Sequence, residues 1–196
     1  MPNNPQDSLE KAGAGLPRFQ ALMLRYIGFP ILRMFLSWEG ALNLFESEGQ
    51  KVLKLVDGLG QEQMNTKVLV PKTLGIEDNS RYYSAAMVLW HLIYVGNTIN
   101  DGVVSLSRGE TLDFTVKIEN FKPFVDIKPN IADDYQNFLS NYRLSLDKNV
   151  HDRRKANYHS HPWFGPLNPH GWVVLSAVHQ LIHRRQLENI IKGLKA

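Results

Sequence analysis

The sequence predicts an all-α fold: a four-helix bundle with long connecting loops and an extra N-terminal helical segment. Three observations predict it. Four long segments repeat apolar residues at spacings of three and four. Helix start and stop residues bracket those segments. The connections between them run to roughly 18 to 22 residues, long for a bundle but compatible with elaborated loops.

Residues 1–15 are polar and rich in Pro and Gly, and are expected to be frayed. Residues 16–36 form an apolar helical extension. Arg18, Arg25 and Arg33 interrupt it and Gly28 and Pro30 break it, so it lacks the ~20 uninterrupted apolar residues of a spanning helix. Arg at intervals among Leu, Met and Phe is compatible with lying on a membrane surface. Packing on the main domain or against a second subunit is the expectation. Residues 37–196 are expected to form the bundle and to carry any metal site.

The first bundle helix is expected from about Ser37 to Leu59. Ala41, Leu42, Phe45, Val52, Leu53 and Val56 share one face, and Gly58 and Gly60 supply the stop. The second is expected from about Asn79 to Ser107, with Asp78, Asn79 or Ser80 as cap. It is apolar nearly all round from Tyr82 to Val95 and should be the most buried. Leu112, Phe114, Val116 and Ile118 then alternate with polar residues, which suggests a short strand or extended crossover. Residues 67–71 look extended and could pair with it.

The third bundle helix is expected over about Asn130 to Val150. Asp133 and Asp134 stand in the first turn, where the helix dipole favours acids. The fourth is expected over about Pro169 to Leu194. Asn168 is its cap, and Pro169 sits where a missing N–H costs nothing.

The 196-residue chain contains no cysteine and seven histidines. Disulfides, thiolate catalysis, iron–sulfur clusters and cysteine-based zinc fingers are therefore excluded. A metal would have to be held by nitrogen and oxygen. The net charge of +3 is not gathered into a basic stripe. The longest basic run, His151-Asp152-Arg153-Arg154-Lys155, is short, so no nucleic-acid partner is expected. No secretory signal pattern is present at the start, and the cytoplasm is the expected address.

His179 and His183 are four residues apart and share a helix face with Trp172, Leu175, Ser176, Ile182, Gln186 and Ile190. Arg184, Arg185, Glu188 and Lys192 lie on the other side. Both imidazoles should point into the core, where they need a metal, a carboxylate or ordered water. His91 interrupts the apolar run Val88-Leu89-Trp90-His91-Leu92-Ile93 and has the same need. If these two helices face each other, the three imidazoles converge. Three neutral nitrogens would suit zinc, nickel, iron, cobalt or manganese and leave coordination positions open. The alternative is separately hydrogen-bonded histidines. Gln180 stands where a zinc protease carries its catalytic Glu, which disfavours that chemistry.

His161 lies just before the last helix. It could serve as acid, base or substrate contact, or simply pack in its loop. Tyr94, one turn from His91, could donate a proton, or pack in the core. Asp101 is a further candidate base. Ser176 and Gln186 flank the histidine pair and could orient its rings. Trp163, Phe164 and Trp172 could wall a pocket. His159 and His170 are expected to be exposed and His151 to sit in a loop.

His91 within Leu89-Trp90-His91-Leu92, with His179 and His183 on a C-terminal helix, resembles the DinB-like superfamily of four-helix-bundle metalloenzymes. The segment His161-Pro162-Trp163-Phe164-Gly165-Pro166-Leu167 resembles a bacterial branch of it. The resemblance covers about residues 38–194. It implies a divalent metal, nickel or zinc before iron or manganese, on His91, His179 and His183. It also implies homodimers, and transferase or isomerase chemistry on small molecules with a low-molecular-weight thiol. The expectation is a metal-dependent transferase or hydrolase. The alternative is a non-catalytic stress-response or binding bundle in which the metal or a histidine network is structural.

Overall fold

The computed structural model describes residues 5–123, 127 and 129–195. The first four residues of the stretch expected to be frayed lie outside them, as does Ala196. Seven α-helices are described: α1 (Arg18–Met23), α2 (Phe29–Phe35), α3 (Trp38–Val56), α4 (Gln61–Asn65), α5 (Ala85–Ser107), α6 (Ile131–Asn149) and α7 (Pro169–Leu194). The long helices α3, α5, α6 and α7 form the bundle. Helix α7 packs against both α3 and α5, α5 also packs on α6, and α6 meets α3 more lightly.

The caps explain the boundaries. The Ser37 hydroxyl accepts from the Gly40 N–H at 3.0 Å and starts α3. The Asn168 side chain accepts from the Gly171 N–H at 3.0 Å and starts α7. Helix α5 starts later than expected. The 3-10 turn Asp78–Arg81 and the strand β2 (Tyr82–Tyr83) come first, and Ser84 is the cap, accepting from the Met87 N–H at 3.2 Å. Strand β1 (Val68–Leu69) pairs antiparallel with β2, Val68 opposite Tyr83. It does not pair with the 112–118 crossover as expected. Among the described residues that crossover has no ladder partner, and Ile118–Phe121 turns into a 3-10 helix.

Polar contacts tie the helices together. Glu48 is 2% exposed and is held by Lys51 and by Arg184, each at 2.6 Å. Burial by itself raises its carboxyl, and the two cations more than offset this, leaving it below its ordinary value. Arg143 of α6 reaches Glu39 and Glu46 of α3 at 2.9 and 2.7 Å. Gly96 lets α6 come close to α5: a Cβ there would collide with the Phe138 ring.

Two parts were not foreseen. Strands β3 (His159–His161) and β4 (Gly165–Leu167) form a hairpin before α7. Gly165, at φ 74°, supplies the left-handed turn residue that begins its second strand. The N-terminal stretch is also anchored. The Gly13 and Gly15 N–H groups donate to the Glu77 carboxylate at 3.3 and 2.6 Å, and the Glu10 N–H donates to Asp78 at 3.1 Å. Arg18 to Phe35 is helical throughout, with a π-turn at Leu24–Gly28 between α1 and α2. It makes an angle of 102° with α3. Among the described residues, no single helix is long and apolar enough to cross a membrane.

Candidate metal centre

His91 on α5 and His179 and His183 on α7 converge. One nitrogen from each lies within 4.8 Å of the others. The His91 and His179 Nε2 atoms are 3.0 Å apart. Two nitrogens bound to one ion at about 2.0–2.1 Å each would sit about 2.9–3.4 Å apart, so this pair is already at ligating separation.

The second ring nitrogens set the tautomers. His91 Nδ1–H donates to the Phe121 carbonyl at 2.8 Å. His183 Nδ1–H donates to Gln186 Oε1 at 2.7 Å, and Gln186 Nε2 donates onward to the Ser80 carbonyl at 2.7 Å. A carbonyl oxygen can only accept, so in the neutral rings both protons are on Nδ1 and both Nε2 lone pairs are free. Second partners of this kind usually orient metal-binding histidines. The donor set therefore fits a divalent ion. Gln186 plays the orienting role expected of it. Ser176 does not: its hydroxyl accepts from Tyr142 at 2.8 Å.

Burial keeps all three imidazoles neutral at ordinary pH. It pushes His91 down to about 4, with nearby Lys122 adding to the effect. It also pushes His179 and His183 well below their ordinary value, and the neighbouring rings lower them further. Metal binding requires this neutral form.

The histidines line a cavity of about 520 Å³, a size suited to a small molecule. Its walls are mainly apolar. Leu112, Phe114, Val116 and Ile118 of the crossover all face it. The period-two pattern thus marked the right face of an extended chain that belongs to no sheet. Leu24, Phe29 and Leu32 close the chamber from the N-terminal side.

Five of the seven histidines line this chamber: His91, His159, His161, His179 and His183. His161 packs its ring on Phe164 and Trp172, and burial pushes it down to about 3. Its Nδ1 accepts from the Trp163 N–H at 3.1 Å. His159, expected at the surface, is a wall residue because β3 turns it toward Phe114 and Trp172. His159 Nε2 and Trp172 Nε1 are buried and have no hydrogen-bond partner among the described residues. His170 is not free in solvent either: its Nε2–H donates to the Leu36 carbonyl at 2.9 Å. His151 is exposed in its loop, as expected.

Tyr94 and Asp101 are not brought to the chamber. Tyr94 is 44% exposed, stacks on Trp90 and lines a separate groove with Ile131 and Asp134. One turn from His91 along α5 still left it on the outer side of the helix. Asp101 is exposed and does not line the cavity.

One polar group at the chamber was missed. Lys122 pairs with Glu77 and donates to the Ser80 hydroxyl at 2.6 Å. All three residues line the cavity. Burial lowers Lys122, and Glu77 acts against that. These residues lie in connections with no motif, so only the folded backbone brings them together.

The chain matches no family profile and no curated protein. It is similar to the crystal structure of TT2238, a four-helix bundle protein, with a TM-score of 0.51 and 20% identity. The match covers 78% of this chain and 98% of that one. At that identity the likeness shows the fold alone, a four-helix bundle.

Proposed function

We propose that the chain is a metal-dependent transferase or hydrolase of the DinB-like kind, acting on a small molecule held in the chamber. The observation that carries this reading is the orientation of the histidines. His91 and His183 each spend Nδ1–H on a fixed acceptor, which leaves their Nε2 lone pairs for an ion, and one nitrogen of each of the three rings lies within 4.8 Å of the others. His91, His179 and His183 would hold a divalent ion, nickel or zinc before iron or manganese. Bound there, the ion would supply Lewis acidity and lower the pKa of water or of a thiol. With no cysteine in the chain, such a thiol would arrive with the substrate.

The chain's own residues do the rest. The apolar walls bind the substrate body and exclude water. Neutral His161, whose Nδ1 accepts from the Trp163 N–H, carries its proton on Nε2 and would donate a hydrogen bond to a substrate group in the chamber. Lys122, held by Glu77 and Ser80, places a positive charge near the rings and suits an anionic substrate group.

Elemental analysis tests the reading. Purified protein should carry about one divalent ion per chain, in line with a single three-histidine site. His91→Ala, His179→Ala and His183→Ala should each lose most of it. Unchanged metal content in these variants overturns the reading.

One observation favours a second reading, a structural histidine network. The 3.0 Å contact lets His179 Nε2–H donate to His91 Nε2 without any ion. A metal-free protein that melts at the temperature of the metal-loaded one, and carries no ion as isolated, would select this reading.

A further inference from the structure

We propose that the helical segment Arg18–Phe35 docks the protein on an anionic lipid surface. A helix normally turns its apolar stripe to the core. This one also carries a stripe outward. Phe19, Leu22, Tyr26, Ile31, Met34 and Phe35 recur at helical spacing and are all exposed, Phe19 and Phe35 at 77%. The inner face is apolar as well: Phe29 is 3% exposed and stacks on Phe164 with ring centroids 4.6 Å apart. The segment is thus seated on the body by one apolar face and presents the other.

Charge selects the occupant. No Asp or Glu occurs between Glu10 and Glu39, while Lys11, Arg18, Arg25 and Arg33 all do. Arg18 and Arg25 are exposed beside the stripe, the Arg25 guanidinium passing close to Gly165. Arg33 donates to Asn168 at 3.2 Å, and both Arg33 and Arg154 act on His170. A second copy related by a two-fold axis would set this patch against itself, with no carboxylate in the segment to pair the arginines. Anionic headgroups pair with arginines, while the apolar side chains enter the acyl boundary. At about 1.5 Å per residue the 18-residue segment is about 27 Å long, and its stripe suits lying in the interface plane. Leu24, Phe29 and Leu32 face the chamber from this same segment. Docking would place the chamber one helix thickness from the lipid.

Vesicle co-sedimentation of the full chain tests the proposal. Vesicles of phosphatidylcholine with phosphatidylglycerol should carry the protein down, and pure phosphatidylcholine vesicles should carry far less. Phe19→Ser with Phe35→Ser should abolish binding. Arg18→Gln and Arg25→Gln should each weaken it about fivefold, with the loss shrinking at high salt. Every substituted side chain is exposed, and circular dichroism checks that each variant folds. Metal content is read on the same samples, so loss of docking with metal retained separates this proposal from the function proposed above. Absence of sedimentation with both vesicle types overturns the proposal. So does a dimer in analytical ultracentrifugation that Phe19→Ser with Phe35→Ser dissociates, because a second copy would then cover the face.

Discussion

The Nε2 atoms of His91 and His179 stand 3.0 Å apart across two helices separated by a long stretch of chain. The other nitrogen of His91 is already committed to the Phe121 carbonyl at 2.8 Å. The contact joins α5, α7 and the crossover at one point, and the chemistry of the chamber depends on it.

Gln186 orients His183 and is itself held by Ser80. Gln186→Leu removes the acceptor for His183 Nδ1–H and keeps a similar volume. Metal affinity should fall about 10- to 100-fold with the three ligands intact. Competition against a chromogenic chelator measures this. Affinity within twofold of the wild type would show that the glutamine does not fix the ring.

His161 contributes a pH dependence. Its folded value is pushed from 6.5 to about 3, so between those values the unfolded chain binds more protons than the folded one. Stability from this group is complete above 6.5 and declines as pH falls toward 3. Denaturant midpoints of the metal-free protein should therefore drop on acidification from about pH 7 to pH 5. His161→Phe should make that drop shallower, and an unchanged slope would contradict the burial of its ring.

Gly96 is where α5 and the Phe138 ring of α6 meet. Gly96→Ala should cost about 1–3 kcal/mol by overpacking. Helix propensity alone would favour the alanine, so the sign separates the two effects. Urea unfolding measures it, and a stabilised variant would show that Phe138 can move away.

Arg184 joins α7 to the buried Glu48 at 2.6 Å. Arg184→Ala would leave that carboxylate with Lys51 as its remaining cation, at a cost of up to about 3 kcal/mol. Glu48→Gln in the same background should recover part of the loss. A double variant no more stable than the single one would argue against an uncompensated charge.

Glu77 holds the N-terminal stretch by accepting from Gly13 and Gly15, and also pairs with Lys122. Glu77→Ala should release the stretch. Limited proteolysis should then cut near residues 10–16 much faster than in the wild type, and equal cutting rates would show that these contacts do not anchor it.

How much of this was legible varies with the range of the interaction. Ser37, Asn168 and Gly58 marked helix ends because capping is settled within four residues. The i, i+4 spacing put His179 and His183 on one face, and an imidazole inside the Leu89-Trp90-His91-Leu92 run implied a partner. His159 and Tyr94 were misplaced for the opposite reason. His159 is turned inward by a hairpin whose two strands carry little apolar alternation. Tyr94 is close to His91 along the helix but points to another groove. The start of α5 was set too early because Tyr82 and Tyr83, which fit a helix by composition, are taken by β1.

The four bundle helices, the inward face of the His179–His183 pair on α7, and the restriction of any strong metal site to nitrogen and oxygen ligands are all readable from the sequence. Those follow from periodicity, capping and the lack of cysteine, all local or compositional. That β1 pairs with β2, that the Phe121 carbonyl chooses the His91 tautomer, and that Glu77 and Lys122 meet beside the rings emerge only on folding. Each of these joins groups far apart in the chain or brought together by a loop. Their partners are selected by which surfaces the packed helices leave within about 3 Å of each other, and no repeat in the sequence records that distance.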